Sequence, residues 1–369
     1  MRVLMPLVFM VIFLAIIVLA NIYLARRFGF YFSVEDLRSL YILFAGTTVF
    51  MIGGLAGFTN SVSFTGTILY KIAAVIMGFV LYLLIINLLI DLLSLFVKIK
   101  PLTHGLISIT ITTLISIFGI LNAYNTRVKA IEIPIAGLSE EVTLMHLTDI
   151  HIGHFRGIKF LGNLVKQTNN LKPDIVVITG DLFDGKVRLK QEILEPLKQL
   201  DAPAFFVEGN HDGYTGVEKV KELVRNTGVR VLENEVIKVA GLQLVGLNHM
   251  LPDSTTVGMH ATLSRATIKN ILPTLLINKD SPSLLLHHSP DGIQYAAEEG
   301  IDLYLAGHTH AGQLFPVTLI NDLIFKYNKG LHSYKGTKIY VSPGAGTFGP
   351  PMRIGTRSEI AFIRLVVEK

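Results

Sequence analysis

Residues 3–25 form an uninterrupted uncharged run, VLMPLVFMVIFLAIIVLANIYLA, closed by Arg26-Arg27. An apolar helix of about 20 residues spans a bilayer core. The run is too long for the h-region of a signal peptide, and no clear small-residue cleavage site follows it. Three more apolar stretches lie close behind. Residues 40–59 carry Gly53, Gly54 and Gly57 for close helix contacts, 72–97 start after Lys71, and 105–124 lie between Pro101 and Arg127. The pattern predicts about four N-terminal transmembrane α-helices within residues 1–125, a linker over 126–140 and a separate domain over 141–369. Asp91 is the only acidic residue inside a predicted span. With no intramembrane partner in view, it reads as a headgroup-level residue near Lys98 and Lys100 rather than as part of an ion path.

Charge divides the chain at the same place. Residues 1–130 hold nine Lys/Arg against three Asp/Glu, whereas 131–369 hold twenty-four against twenty-five. The net charge of +5 therefore belongs to the anchor, and a nucleic-acid-binding face is not expected. An even number of spans puts the amino terminus and the domain on one side of the membrane. Arg26, Arg27, Arg38, Lys98 and Lys100 fall on the other side, against Arg2, Lys71, Arg127 and Lys129. That count of five to four leans towards an extracytoplasmic domain. The absence of Cys excludes disulfide scaffolds, thiolate metal sites and a Cys nucleophile.

Beyond residue 130, short apolar runs alternate with polar helical stretches. The runs are VTLMHL, DIVVIT, AFFVEG, LQLVGL, SLLLHH, DLYLAG, KIYVSPG and EIAFIRLVV, with helices expected near 158–170, 187–199, 215–226 and 291–299. This is the pattern of an α/β layered domain. Eleven of the twelve histidines lie here, many where a run gives way to a loop. In order, the run ends read Asp149-Ile150-His151, Gly180-Asp181-Leu182-Phe183-Asp184, Gly209-Asn210-His211-Asp212, His287-His288-Ser289-Pro290 and Gly307-His308-Thr309-His310. In an extended stretch Asp149 and His151 project to one side, as do His308 and His310. Singly, each fragment reads as a cap, a turn or a surface pair. Jointly they predict a metal site of carboxylate, imidazole and amide oxygen, suited to Mn, Fe, Zn or Mg. They exceed the ligands one ion needs, so two ions sharing a carboxylate are expected.

The segments HLTDIHIG, KPDIVVITGDLFD, EGNHD, LLLHHSPD, GHTHAGQ and YVSPGAGTFGPPMRIGTRSEI, across about residues 142–367, resemble the calcineurin-like metallophosphoesterases. The GHTHxGQ form and the Gly-rich, Arg-containing tail look like the bacterial branch with membrane-anchored or exported members. The resemblance implies a four-layer αββα sandwich and a dinuclear centre of Mn2+, Fe2+/Fe3+ or Zn2+. Matched residue by residue, it implies Asp149, His151 and His310 at the first metal and Asp181 as the bridge. Asn210, His288 and His308 would complete the second, with His288 preferred to His287 on His-x-Pro spacing. His211 would act on the substrate, donating a hydrogen bond or a proton. The implied reaction is hydrolysis of a phosphodiester, a monoester or a lipid-linked pyrophosphate by metal-bound hydroxide.

Two departures stand out: Ala311 where the family usually has Gly, and Ser342-Pro343-Gly344 where Ser-Arg-Gly is common. Arg353 is then the expected substrate-contacting cation, its bland alternative being a solvated surface arginine. Segments 248–262 and 315–336 flank the site in sequence. The second mixes apolar residues with Lys326, Lys329 and Lys335, as at a headgroup–acyl boundary or in a core-packing hairpin. Membrane lipids and a lipid or lipid-linked phosphoester are the expected partners. Alternatives are a transport or sensing protein with a regulatory metal domain, and a catalytically silent scaffold.

Overall fold

The computed structural model describes residues 4–252 and 266–368. Most of the 248–262 segment lies outside the described residues. The chain divides into two compact units, the first running to Gly119 without residues 60–62 and the second comprising 60–62 and 120 onwards.

The first unit is built from α1 (Leu4–Phe32), α2 (Leu37–Phe58), α3 (Phe64–Ser94) and most of α4 (Pro101–Tyr124). All four are long and apolar enough to cross a membrane. Their ends follow backbone chemistry more than hydropathy. α1 continues through Arg26-Arg27 to Phe32, because nothing there breaks a helix before Ser33 turns left-handed. α2 starts where the Asp36 side chain accepts the Arg38 N–H, and α3 where Ser63 accepts the Gly66 N–H at 3.0 Å. α4 starts at Pro101, where a missing N–H costs nothing. Leu19, Val49, Leu88 and Leu114 are exposed, so the outward faces of these helices are apolar.

Asp91 departs from its expected place as a partnerless headgroup-level residue. It accepts from Tyr23 Oη at 2.6 Å and from the Arg27 guanidinium of α1, with Tyr31 Oη at 3.3 Å. Tyr31 Oη also meets His104 Nε2 of α4 at 2.8 Å. A carboxylate in an apolar bundle is costly unless donors surround it, and these donors come from one helix, α1, 60 or more residues away in sequence. Asp91→Leu is therefore expected to destabilise the solubilised protein by on the order of 1–2 kcal/mol. Adding Arg27→Met should recover part of that loss, because the unpaired cation is then gone. Melting temperatures in detergent check this, and equal losses in the single and double variants would refute it.

The second unit packs two six-stranded sheets face to face. The first sheet has the order β1 (Arg127–Ile135), β12 (Glu359–Val367), β2 (Val142–Leu147), β3 (Ile175–Thr179), β4 (Ala204–Val207), β5 (Arg230–Val231). The second has the order β10 (Gly330–Tyr334), β11 (Thr337–Val341), β9 (Leu303–Ala306), β8 (Ser283–Leu286), β7 (Leu242–Gly246), β6 (Glu235–Val239). Both are mixed: β2, β3 and β4 run parallel, as do β7, β8 and β9.

The central strands are apolar on both faces, and period two sorts their side chains. Leu144, Ile175, Val177, Leu284, Leu286, Leu303 and Leu305 fill the layer between the sheets. Met145, Val176 and Ile178 turn outward under the helices Ile158–Leu171 and Asn210–Arg225, and Leu285 and Tyr304 turn outward under Ile293–Glu298. The result is the expected αββα sandwich. One boundary is corrected: residues 127–135, expected within a linker, form β1, parallel to β12 from Arg127↔Glu359 to Ile135↔Val367. Ile133 and Ile135 are buried there while their neighbours face out.

Candidate metal centre

Asp149 and His151 lie just beyond β2, Asp181 beyond β3, Asn210 and His211 beyond β4, His288 beyond β8, and His308 and His310 beyond β9. Both sheets thus deliver side chains to one crevice at the carboxyl ends of parallel strands. The local geometry is not the extended one expected. Asp149, His151, Asp181, His308 and His310 all have φ between 50° and 73° or just below, in the left-handed region that non-glycine residues avoid (Asp149 50°, His151 51°, Asp181 52°, His308 73°, His310 48°). Convergence comes from strained turns, and such strain collects at sites where the surrounding structure enforces it. Glycine is required alongside. A Cβ on Gly307 would strike the Asp149 carboxylate and Thr148, and one on Gly209 would strike the Asp181 carboxylate.

Two groups of side chains share this crevice. In the first, His310 Nε2 lies 3.3 Å from Asp149 Oδ1 and 3.0 Å from His151 Nε2. In the second, His288 Nε2 lies 3.1 Å from Asp181 Oδ2, and Asn210 Oδ1 lies 2.9 Å from His308 Nδ1. Asp181 stands between them, since its Oδ2 is also 3.7 Å from His151 Nε2. The expected ligands are therefore brought together, and His288 rather than His287 faces Asp181. His287 instead turns its Nδ1 to Tyr304 Oη and the Ser289 carbonyl.

The residues fit divalent cations. Asp149 and Asp181 are buried, and among the described residues neither carboxylate forms an ion pair with Lys or Arg. His288 Nδ1 meets the Thr179 carbonyl at 2.7 Å, which leaves Nε2 pointing at Asp181 without an aligned hydrogen bond. Asp149, His151 and His310 form one group of potential ligand atoms close enough for a single ion, and Asp149, Asp181 and His288 form another. Burial, with the neighbouring charges of His211 and His288, pushes His151 down to about 3. Burial, then His151 and Arg353, pushes His310 well below the usual range. Both are neutral imidazoles, the form that binds metal. Burial raises Asp149 to about 6, whereas the charges of His288 and His211 overcome burial at Asp181 and hold it low.

Two carboxylates without an expected role complete the site. Asp184 Oδ1 lies 3.4 Å from His211 Nδ1. Burial alone would lower His211, but Asp181 and Asp184 outweigh it and raise the imidazole to about 9. Asp212 accepts the N–H groups of Leu182 and Phe183 with one oxygen and that of Gly209 with the other. It ties the loop carrying Asp181 to the loop carrying Asn210 and His211. The GDxxD and GNHD spacings displayed both residues, but their bonds cross about 30 positions and were not visible along the chain.

Arg353 corrects the other expectation. It is 0% exposed and does not line the cavity, so it is not placed to touch substrate. Its guanidinium donates to the carbonyls of Pro343, Gly344, Gly346 and His310 and lies 3.2 Å from His310 Nδ1. The tail loop thereby becomes a strap beneath the first ligand group. Ala345 N and Gly346 N donate to the Thr148 and Asp149 carbonyls, and Gln313 bonds Phe348 and Pro350. Asn122, in the last turn of α4, donates at 2.8 Å to the carbonyls of both Arg353 and Thr356.

A two-sheet α/β sandwich whose strand ends gather buried Asp, His and Asn defines the class as a metal-site α/β domain, and its relatives make that more particular. Residues 142–312 match the calcineurin-like phosphoesterase family. An uncharacterized metallophosphoesterase of Aquifex aeolicus (strain VF5) is 30% identical over 264 residues, covering 69% of this chain and 97% of the relative. One from Helicobacter pylori (strain J99) is 34% identical, covering 65% of this chain and 64% of the relative. A zebrafish (Danio rerio) transmembrane protein with metallophosphoesterase domain is 34% identical, covering 70% of this chain and 62% of the relative. The chain therefore spans a little under two thirds of the length of the last two. It belongs to the calcineurin-like metallophosphoesterases, a family that implies divalent metal ions.

Removing either organising residue should empty the centre before it unfolds the domain. Arg353→Lys keeps the charge but loses the planar fork that serves several carbonyls. Asp212→Ala strands three N–H groups, at about 1–3 kcal/mol for each one left buried and unpaired. Both variants are expected to hold less divalent metal by elemental analysis and to melt earlier. An Arg353→Lys protein with full metal content would refute the strap's role.

Proposed function

We propose that this chain is a membrane-embedded phosphoester hydrolase with a two-ion centre. Asp149, His151 and His310 would hold one ion, Asn210, His288 and His308 the other, and Asp181 would bridge them. The carrying observation is Asp181 standing between two ligand groups while the His211 backbone N–H donates to its Oδ1 at 2.8 Å. Metal ions held there, Mn2+, Fe2+/Fe3+ or Zn2+, would neutralise phosphoryl oxygens and lower the pKa of water. The remaining work falls to the chain's own groups.

His211 lines a cavity of about 230 Å³ together with Asp181, Asn210, His308 and His310. Asp181 and Asp184 push its imidazole towards the protonated form, and Asp184 lies against the ring at Nδ1. Nε2–H is then free to bind a phosphoryl oxygen or to deliver its proton to the leaving oxygen. Leu314, Phe325 and Phe348 give the cavity an apolar wall beside the ligand groups. A silent scaffold would have no use for the Asp184–His211 pair. The one acidic residue of the spans, Asp91, is held by donors from α1, which favours an anchor over a transport path. The loop charges favour the domain lying outside the cytoplasm, and a C-terminal alkaline phosphatase fusion would read that side directly.

With Mn2+, the full chain in detergent is expected to hydrolyse bis(p-nitrophenyl) phosphate or p-nitrophenyl phosphate. His211→Ala should cost about 10²–10⁴-fold in turnover with both metals retained. Asp181→Asn should lose metal as well as turnover. Wild-type inactivity on both esters, or equal turnover in all three proteins, would sink the proposal.

A further inference from the structure

The helix Val317–Ile324 is inside out. Its inward side carries Thr318, which is buried, and Asn321, which donates to the Thr309 carbonyl and to Asn328. Its outward side carries Leu319, Ile320 and Leu323, which are 55%, 53% and 87% exposed. A helix on a water-facing surface shows the reverse arrangement, so these leucines and isoleucine are not core residues of a packing hairpin. Phe315 just before the helix and Phe348 nearby extend the apolar patch.

The patch sits on the rim of the candidate centre. Val317 and Asn321 line the 230 Å³ cavity, and Ile324 lines a second cavity of about 650 Å³. Phe325 lines both, so the second cavity adjoins the first. Its wall is aromatic and carries charges of both signs, Lys326 with Asp291 and Glu298, and Lys326 Nζ lies 5.4 Å from the ring centres of both Tyr327 and Tyr334. Lys326, Lys329 and Lys335 are all exposed beside the apolar face.

We propose that this helix docks the domain on a bilayer surface rich in anionic lipid, with the larger cavity receiving the headgroup of a membrane phospholipid ester. The substrate part of this rests on the phosphoesterase reading above; the docking part does not. A bilayer suits the patch because exposed apolar side chains, followed in the chain by the exposed Lys326, Lys329 and Lys335, match acyl chains beneath anionic headgroups. The same chain carries four helices able to cross a membrane. A protein seated on the helix, a second copy included, would cover the mouth it rims, whereas a lipid surface supplies what enters.

The chain has no cysteine, so single labels are clean reporters. Leu323→Cys and, as a control, the exposed Glu218→Cys are labelled with an environment-sensitive dye in the full chain, reconstituted in phosphatidylcholine vesicles with or without phosphatidylglycerol. The label at 323 should turn blue and be quenched by spin-labelled acyl chains when phosphatidylglycerol is present; the label at 218 should not. Replacing each of the three lysines by Gln should weaken docking about five-fold. Water-like emission at 323 with phosphatidylglycerol present, or a 323–323 disulfide between copies in its place, would overturn the proposal. Leu319→Ser/Leu323→Ser should retain bis(p-nitrophenyl) phosphate turnover while losing about ten-fold on phosphatidylglycerol-borne nitrobenzyl phosphodiester, taking about 1.4 kcal/mol per decade. Equal loss on both esters overturns the substrate part, and no turnover of the soluble ester by wild type sinks the phosphoesterase reading while leaving the dye result to judge docking.

Discussion

Two carboxylates, Asp149 and Asp181, are removed from water within one crevice, and no lysine or arginine forms an ion pair with either among the described residues. Burying such charges unpaired is prohibitive, so the surroundings must either protonate them or offer cations. The chain supplies partial answers from every side. Thr148 and the His308 N–H bond Asp149, the His211 N–H bonds Asp181, and four imidazoles close around the pair. Two of them, His151 and His310, are held neutral by burial, and the charge on His288 and His211 is itself drawn from these carboxylates. What remains is a demand for external charge, and a phosphate ester is the anion that bound cations would then attract.

That demand explains why so much of the domain is devoted to holding a few loops in unfavourable conformations. Left-handed backbone at five ligand positions costs energy at each one and persists only because other bonds enforce it. Asp212 clamps two of the loops from within, while the strap ending at Ser358 braces another from below. The strap is itself tied to the last turn of α4 by Asn122, and Arg156 reaches both Thr347 and the Ala123 carbonyl. Rigidity of this kind is what a preorganised site requires.

Much of this was legible in the sequence because the strands are short, apolar and punctuated by Gly-Asp, Gly-Asn and Gly-His. The glycines mark where a Cβ would meet a carboxylate, so the motif and the steric constraint are one fact. β1 was not legible, because only Ile133 and Ile135 of its nine residues are buried and the rest read as solvated chain. Nor was Arg353: an arginine among glycines does not reveal whether it points out to substrate or inward to four carbonyls. The roles of Asp184 and Asp212 were hidden for the same reason, since their bonds cross about 30 residues of chain.

Asp91 shows by contrast what separates a structural carboxylate from a chemical one. It too lies in apolar surroundings, but its hydrogen-bond donors are a guanidinium and two phenols, groups that donate at any ordinary pH, with the His104 imidazole farther off at 3.5 Å. They satisfy the carboxylate permanently and leave no vacancy for an ion. Asp149 and Asp181 face imidazoles, which donate or accept according to tautomer and give up a proton readily. A ring that can free its Nε2 lone pair by losing a proton is a partner to a metal as much as to a carboxylate. The difference lies in the donors a carboxylate is given rather than in its burial, and that is why the same residue type anchors a helix bundle in one unit and organises a candidate reaction centre in the other.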